Sequence, residues 1–210
     1  MRFKIVPKTK AQLLALANPQ TANQPEALPW VLYSTKQYVS TTTVSLTFFD
    51  KAEGGALDLT NMEAVSQITD PKFFEIHFIG LDILNDASTA AAVGGAGALD
   101  DVQKLVLQGR GRFIISMSDK NFGPFPLSFL HASGGATGEG WGWGTIAAGE
   151  SAQVANNGIF DGGFYVGGSL ILPPNTGFDF KLDWPAALTL NGGNTYLRAW
   201  MAGVMHRRVL

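Results

Sequence analysis

The feature that most constrains the fold is a series of short alternating segments separated by glycine- and proline-rich connections. Over residues 41–48, threonine and serine alternate with larger residues, the period-two pattern of a strand with one wet and one buried face. Later segments are separated by connections such as residues 134–149 and 173–177. No long helical periodicity lies between them, so the sequence predicts an antiparallel all-β fold rather than a parallel α/β sheet.

The predicted strands are numerous enough for a sandwich of two sheets. Residues 73–84 are apolar on both faces, which predicts a central strand in a covered sheet. Further strands are predicted at residues 112–118, 125–130, 163–172, 178–183 and 196–209, with a short one at 188–190. Short helices are predicted at residues 57–66 and 100–107. Eight strands in about 170 residues fit one jelly roll, an antiparallel β-sandwich of two four-stranded sheets.

The N-terminal residues 1–39 are predicted to form an arm, with the jelly-roll domain at residues 40–210. Prolines at positions 19, 25 and 29 predict an extended strap after a short helix at residues 8–17. The apolar patch at residues 13–17 is too short for a signal peptide, so export by that route is not expected. A frayed terminus is the alternative interpretation. The basic residues of the arm precede the first acid of the chain and are Arg2, Lys4, Lys8 and Lys10.

Charge is scarce in this chain. Charged residues make up 15% of the sequence, against about 25% in an average soluble domain. The formal net charge is −2, so the chain as a whole is not a binder of polyanions, and any contact with nucleic acid is expected to be local. Because 46% of the residues are hydrophobic, an apolar surplus is expected at the surface, where it usually marks a protein interface.

No pattern of catalytic or metal-binding residues emerges. The sequence has no cysteine, and its three histidines, His77, His131 and His206, lie in separate segments without chelating spacing. Glu75 and His77 share a strand face, which predicts a structural, hydrogen-bonded histidine. Nucleophile and phosphate-binding motifs are absent from the sequence. We therefore predict no enzyme activity, no cofactor, no metal and no small-molecule substrate. The carboxylates that a glycosidase would draw on cannot be paired from sequence and are Glu139, Glu150, Asp161, Asp179 and Asp183.

Two tryptophans, Trp141 and Trp143, lie close together in the longest glycine-rich segment. Three interpretations are open: the rings fold back onto their own domain, contact a neighbouring subunit, or stack on a ligand such as a sugar or a base. The sequence does not choose among them.

Five segments of the sequence form a pattern that is similar to one known family of proteins. They are Phe48-Phe49-Asp50, Asp58-Leu59-Thr60-Asn61-Met62-Glu63, Pro71-Lys72-Phe73-Phe74-Glu75-Ile76, Phe178-Asp179-Phe180-Lys181-Leu182 and Leu197-Arg198-Ala199-Trp200-Met201-Ala202-Gly203-Val204. With these segments, residues 40–208 resemble capsid proteins of tailless icosahedral bacterial viruses. The resemblance implies a jelly-roll subunit in an icosahedral shell, with terminal arms that tie subunits together or touch membrane or genome, and it transfers no functional residue. Many such proteins carry two jelly rolls in one chain, for which 210 residues are short, so a minor capsid protein is an alternative.

The leading hypothesis is a virion structural protein, a capsid subunit that self-assembles in the host cytoplasm. Its expected partners are copies of itself and other capsid proteins, and the basic arm is expected to contact the genome or an internal membrane. Trp141 and Trp143 are expected to form an interface or a ligand-stacking loop. The alternative is a carbohydrate-binding jelly-roll or adhesin module that uses these tryptophans, and a third hypothesis is a β-sandwich glycan hydrolase or lyase.

Overall fold

The computed structural model describes residues 25–52, 59–85, 101, 104–130, 164–190 and 193–208. Their strands form two antiparallel four-stranded sheets with the orders β1-β8-β3-β6 and β2-β7-β4-β5. The predicted all-β sandwich is confirmed. The strands are β1 (Pro25–Tyr38), β2 (Ser45–Phe48), β3 (Phe73–Asn85), β4 (Arg112–Met117), β5 (Lys120–Pro126), β6 (Phe164–Leu172), β7 (Phe178–Asp183) and β8 (Thr195–Arg208).

A single apolar core lies between the two sheets. The second sheet contributes an aromatic layer in which Phe113 of β4 stacks on Phe180 of β7, with ring centroids 5.6 Å apart. Phe48 of β2 meets the same Phe180 ring edge-on at 6.0 Å. All three rings are fully buried. The first sheet meets this layer with inward-facing residues of β3 and β8, such as Ile76 and Met201, so both sheets bury one face in the same core.

Strand β3 is central in its sheet, between β8 and β6, as its two apolar faces predict. Its pairing with β8 shifts register between Ile76 and Phe78, so His77 is an extra residue in the ladder. The buried, inward-facing residues therefore change from the even-numbered Phe74 and Ile76 to the odd-numbered Ile79 and Leu81. This bulge explains why simple alternation assigned apolar residues to both faces of the strand.

The predicted boundary between arm and domain needs correction, because residues 25–38 form strand β1 and pair with β8 along their whole length. Strand β1 lies at the edge of its sheet. The backbone N–H groups of Tyr33 and Thr35 point away from β8, since they bond to residues 59–61. Pro25 and Pro29 are also odd-numbered, so their backbone nitrogens point away from β8 in the same way. The N–H groups that these prolines lack therefore cost the sheet no hydrogen bond to β8. Residues 1–24, with the predicted helix at 8–17, lie outside the described residues.

Other differences concern the ends and connections of strands. Strand β2 is shorter than predicted because residues 40–42 turn, with Thr41 at a φ of 65°. Strand β5 begins five residues before the predicted 125–130 strand and ends at Pro126, because Leu127–Phe129 form a 3-10 turn. Residues 188–190 form no strand, because the N–H groups of Leu188 and Leu190 donate to the side-chain hydroxyls of Tyr38 and Ser40.

The predicted helix at residues 57–66 is wrong over its described part, since residues 59–66 form turns and isolated bridges, one of which pairs Thr60 with Ser34 of β1. The predicted helix at residues 100–107 is helical where it is described, with Asp101 in a helical conformation and Lys104–Gln108 in a short π-helix. In the part of the chain that the structure describes, no helix is long and apolar enough to span a membrane.

Candidate functional site

Most of the residues singled out from sequence lie outside the described residues. The described ones are the carboxylates Glu75, Asp179 and Asp183 and the histidines His77 and His206. The proposed roles of the others therefore stay predictions. Those that lie outside the described residues are Arg2, Lys4, Lys8, Lys10, His131, Glu139, Trp141, Trp143, Glu150 and Asp161.

A buried polar cluster joins the adjacent strands β3 and β8. Phe74 and Ile76 point into the core, so Glu75 between them points to the opposite face of the sheet, where it is only 2% exposed. Its Oε2 lies 3.3 Å from Nε2 of His206, which is equally buried, and its Oε1 lies 3.2 Å from Nε2 of His77. The ring of His206 also stacks on Phe73, with centroids 4.4 Å apart. One carboxylate thus lies between two imidazoles.

Within this cluster, His206 is the hydrogen-bonding partner of the buried Glu75. A buried carboxylate is costly unless it is paired and hydrogen-bonded, and His206 supplies the hydrogen-bonding partner from the neighbouring strand. His77 Nε2 lies 3.2 Å from Glu75 Oε1 but makes no hydrogen bond. The predicted hydrogen bond between Glu75 and His77 is therefore wrong, and Glu75 bonds to His206 instead. No group of three or more metal-ligating side chains suited to a metal ion occurs among the described residues.

The sequence did not predict the pairing of His206 with Glu75, because the two residues lie 131 positions apart. The signal that links the two residues is the pairing of two long strands, in which Phe73 is opposite His206 and Glu75 is opposite Val204. That register is a property of the sheet and not of either local segment.

The described carboxylates of β7 do not face each other across a cleft. Phe178, Phe180 and Leu182 are buried, so Asp179 and Asp183 both point to the outer side of the second sheet. Burial would raise the pKa of Asp183, but hydrogen bonds from Ser45 and Lys181 and the positive charges of Lys181 and Arg112 together lower it. Asp183 is therefore ionised and paired with Lys181 on the same face of the sheet. This arrangement differs from the opposed carboxyl pair of a glycosidase.

The outer edge of β1 is covered by residues 59–61. The side-chain amide of Asn61 accepts a hydrogen bond from the N–H of Tyr33 at 2.9 Å and donates one to the carbonyl of Val31 at 2.7 Å. The N–H of Thr35 donates to the carbonyl of Leu59 at 2.6 Å, and the hydroxyl of Thr60 donates to the carbonyl of Tyr33 at 3.0 Å. Successive outward-facing groups of β1 thus have partners within the same chain.

Exposed apolar side chains concentrate beside this covered edge. Six of the seven large apolar side chains that are exposed among the described residues lie between positions 30 and 65. Trp30, Val31 and Leu59 are 46%, 47% and 40% exposed, and we call these three residues the β1 apolar edge. Trp30 also lines a cleft of about 130 Å³ between β1 and the segment that follows residue 60. This edge is the candidate functional surface of the described fold.

Comparisons with protein-family models, with curated proteins and with solved structures found no match to this chain. The inference of its function rests on its own residues, on the strand order and on the β1 apolar edge.

Proposed function

We propose that this chain is a structural subunit that associates with copies of itself, and specifically a jelly-roll capsid subunit of an icosahedral virion. The observation that carries the proposal is the β1 apolar edge, where Trp30, Val31 and Leu59 are each 40% exposed or more. Trp30 and Val31 are consecutive residues of β1 and point to opposite faces of the sheet, so together with Leu59 they expose apolar area around its edge. Exposed apolar side chains at such an edge favour a protein interface, and tryptophan is among the residues that contribute most to binding there.

The order of the strands supports the jelly-roll part of the proposal. Four antiparallel pairs are nested within one another, β1 with β8, β2 with β7, β3 with β6 and β4 with β5. Pairs of β3 with β8 and of β4 with β7 join them into two sheets. A long hairpin of four strand pairs that is rolled up gives this order, and the jelly roll occurs in capsid and lectin domains. The apolar edge favours assembly over a lectin role.

The experiment compares the association of the intact chain with that of a variant of the β1 apolar edge. We expect the wild-type chain to form oligomers or particles in light scattering and negative-stain microscopy. The double variant Trp30→Ser, Val31→Thr is expected to shift the assembly threshold to at least about tenfold higher concentration, because a central aromatic anchor is typically worth 2 kcal/mol or more. Both substitutions replace exposed side chains, so the circular dichroism spectrum should remain that of the wild type.

Phe129→Ser is the matched control, because Phe129 is 49% exposed but follows β5 in the other sheet. Assembly of this control variant should match that of the wild type. A wild-type chain that stays monomeric at every concentration and ionic strength would overturn the proposed function. If the double variant assembles as the wild type does, the β1 apolar edge is not the interface of the proposed assembly.

A further inference from the structure

A groove lined by two arginines lies on the second sheet, beside the turn that leads into β4. Its volume is about 360 Å³, within the range of ligand-binding pockets. Val106, Phe125 and two prolines of β5, Pro124 and Pro126, give it apolar walls. Two charged residues, Arg110 and Arg112, complete the lining together with Gly111 and Ser128.

Neither arginine is paired with a carboxylate of the described residues through an ion pair or hydrogen bond, and both side chains are exposed. The lining includes no acidic residue. Arg112 is opposite Asp183 in the β4–β7 ladder and helps to lower the pKa of that carboxyl, but Asp183 forms its ion pair with Lys181, at 3.1 Å. The groove therefore combines apolar walls with two guanidinium groups available to a ligand.

The backbone holds Arg110 in an unusual conformation. Its φ is +51°, in the left-handed region that residues other than glycine seldom adopt. A Cβ on the preceding Gly109 would lie 2.6 Å from Leu188, and one on the following Gly111 would lie 2.4 Å from Leu127. Both glycines are thus closely packed, so a Cβ at either position would require a neighbour to shift, whereas the exposed residue between them is an arginine. Backbone strain of this kind concentrates at binding sites.

We propose that this groove binds a peptide segment of a partner protein in which a carboxylate side chain is next to an apolar one. The guanidinium groups of Arg110 and Arg112 bind the carboxylate, since the planar fork of arginine matches its two oxygens. The apolar side chain of the peptide packs against Phe125 and the adjacent prolines. This site is separate from the β1 apolar edge and does not depend on the proposed capsid function.

A peptide fits these features better than a nucleic acid does. Binding of a phosphate backbone relies on many cationic contacts along its length, whereas this groove offers two. The neighbouring strand β7 carries Asp179 and Asp183 on the same outer face as Lys181, and the whole chain has a net charge of −2. These negative charges oppose the approach of a polyanion.

The test uses fluorescence anisotropy of the full chain with a labelled peptide of glycine and serine, blocked at both ends, that carries one glutamate next to one leucine. The same peptide with glutamine in place of the glutamate is the matched control ligand, and we expect it to bind at least about tenfold more weakly. Arg110→Gly and Arg112→Gln should each weaken binding of the glutamate peptide by about tenfold or more. Glycine suits the left-handed backbone at position 110, so that variant should keep the fold. Lys120→Gln removes an exposed charge elsewhere on β5 and should leave binding unchanged.

Four results would overturn the proposal, three with the peptides and one with a nucleic acid. The first is no binding of the glutamate peptide to the wild-type chain, and the second is equal binding of the glutamine peptide. The third is unchanged binding by both arginine variants. A labelled twelve-nucleotide oligothymidylate is included as a competitor. If it binds more tightly than the peptide and Arg110→Gly abolishes that binding, the groove is a nucleic-acid site and the peptide proposal is wrong.

Discussion

Asn61 offers a direct test of how the outer edge of β1 is stabilised. Its side-chain amide takes the place of a neighbouring strand, with bonds to Tyr33 and Val31 on the edge backbone. Asn61→Ala removes both bonds and leaves one N–H and one carbonyl of β1 without these partners. A net contribution of about 0.5–1.5 kcal/mol per bond gives about 1–3 kcal/mol in total. Water reaches the exposed Val31 bond, so we expect a loss of about 1–2 kcal/mol.

The loss is measured by urea denaturation and by thermal unfolding. For a chain of this size, 1 kcal/mol corresponds to about 2–4 °C, so the midpoint should fall by about 2–8 °C. Amide hydrogen exchange adds a local measurement, since the Tyr33 N–H should lose protection while inner β3 amides, such as that of Ile79, are affected only through global stability. Asn121→Ala is the control, because Asn121 is exposed on β5, and it should change stability by less than about 0.5 kcal/mol. An unchanged midpoint together with unchanged protection of Tyr33 would refute the role given to Asn61.

Two further predictions concern the interior of the first sheet. Gly203→Ala should lower the free energy of unfolding by about 1–3 kcal/mol or more, because its Cβ would lie 1.9 Å from the backbone carbonyl oxygen of Glu75. Gly177→Ala, with open space around the new Cβ, is the control in the same urea titration, and equal effects of the two changes would contradict the packing. Burial raises the pKa of Asp82 above its ordinary 3.8, against the opposing effects of the Trp200 hydrogen bond and Arg198. The native state then holds this proton more tightly than the unfolded chain, so stability falls as pH rises through the interval between the two pKa values. Asp82→Asn keeps an acceptor for Trp200 and should be more stable than the wild type at pH 7, with the difference disappearing below about pH 4; parallel pH profiles of the two proteins would rule this out.

The strands that the sequence predicts best are those whose pattern is local. Strand β7 has the predicted bounds, and β3 and β4 differ by one residue at one end. Buried and more exposed residues alternate along β4 and β7, and β3 is a continuous apolar run, so each pattern lies within the strand itself. Strand β1 escaped prediction because Pro25 and Pro29 are strand breakers except at a sheet edge with their nitrogens facing outward. Whether a strand is an edge depends on the order of the whole sheet, which no local pattern contains.

The positions of the candidate surfaces also depend on contacts between segments that are distant in sequence. An apolar surplus at the surface is an expectation from composition, but its position beside β1 depends on the pairing of Thr35 with Leu59. The pairing of Glu75 with His206 depends on the register of two strands distant in sequence. For the arginine groove, the local signal is an arginine at position 110 between two glycines. The packing that requires both glycines appears only when Leu127 and Leu188 are placed beside them.

The β1 edge separates two properties that often occur together in an exposed strand. Residues 59–61 occupy its outward-facing backbone groups from the Val31 carbonyl to the Thr35 N–H, so another chain cannot add a strand along this stretch without displacing that segment. Its side chains at Trp30 and Val31 remain exposed. Association through this edge should therefore proceed by packing of side chains and not by strand addition. The two perturbations then have different readouts: Asn61→Ala lowers stability and exposes strand groups, whereas Trp30→Ser with Val31→Thr lowers assembly of a chain that folds as before.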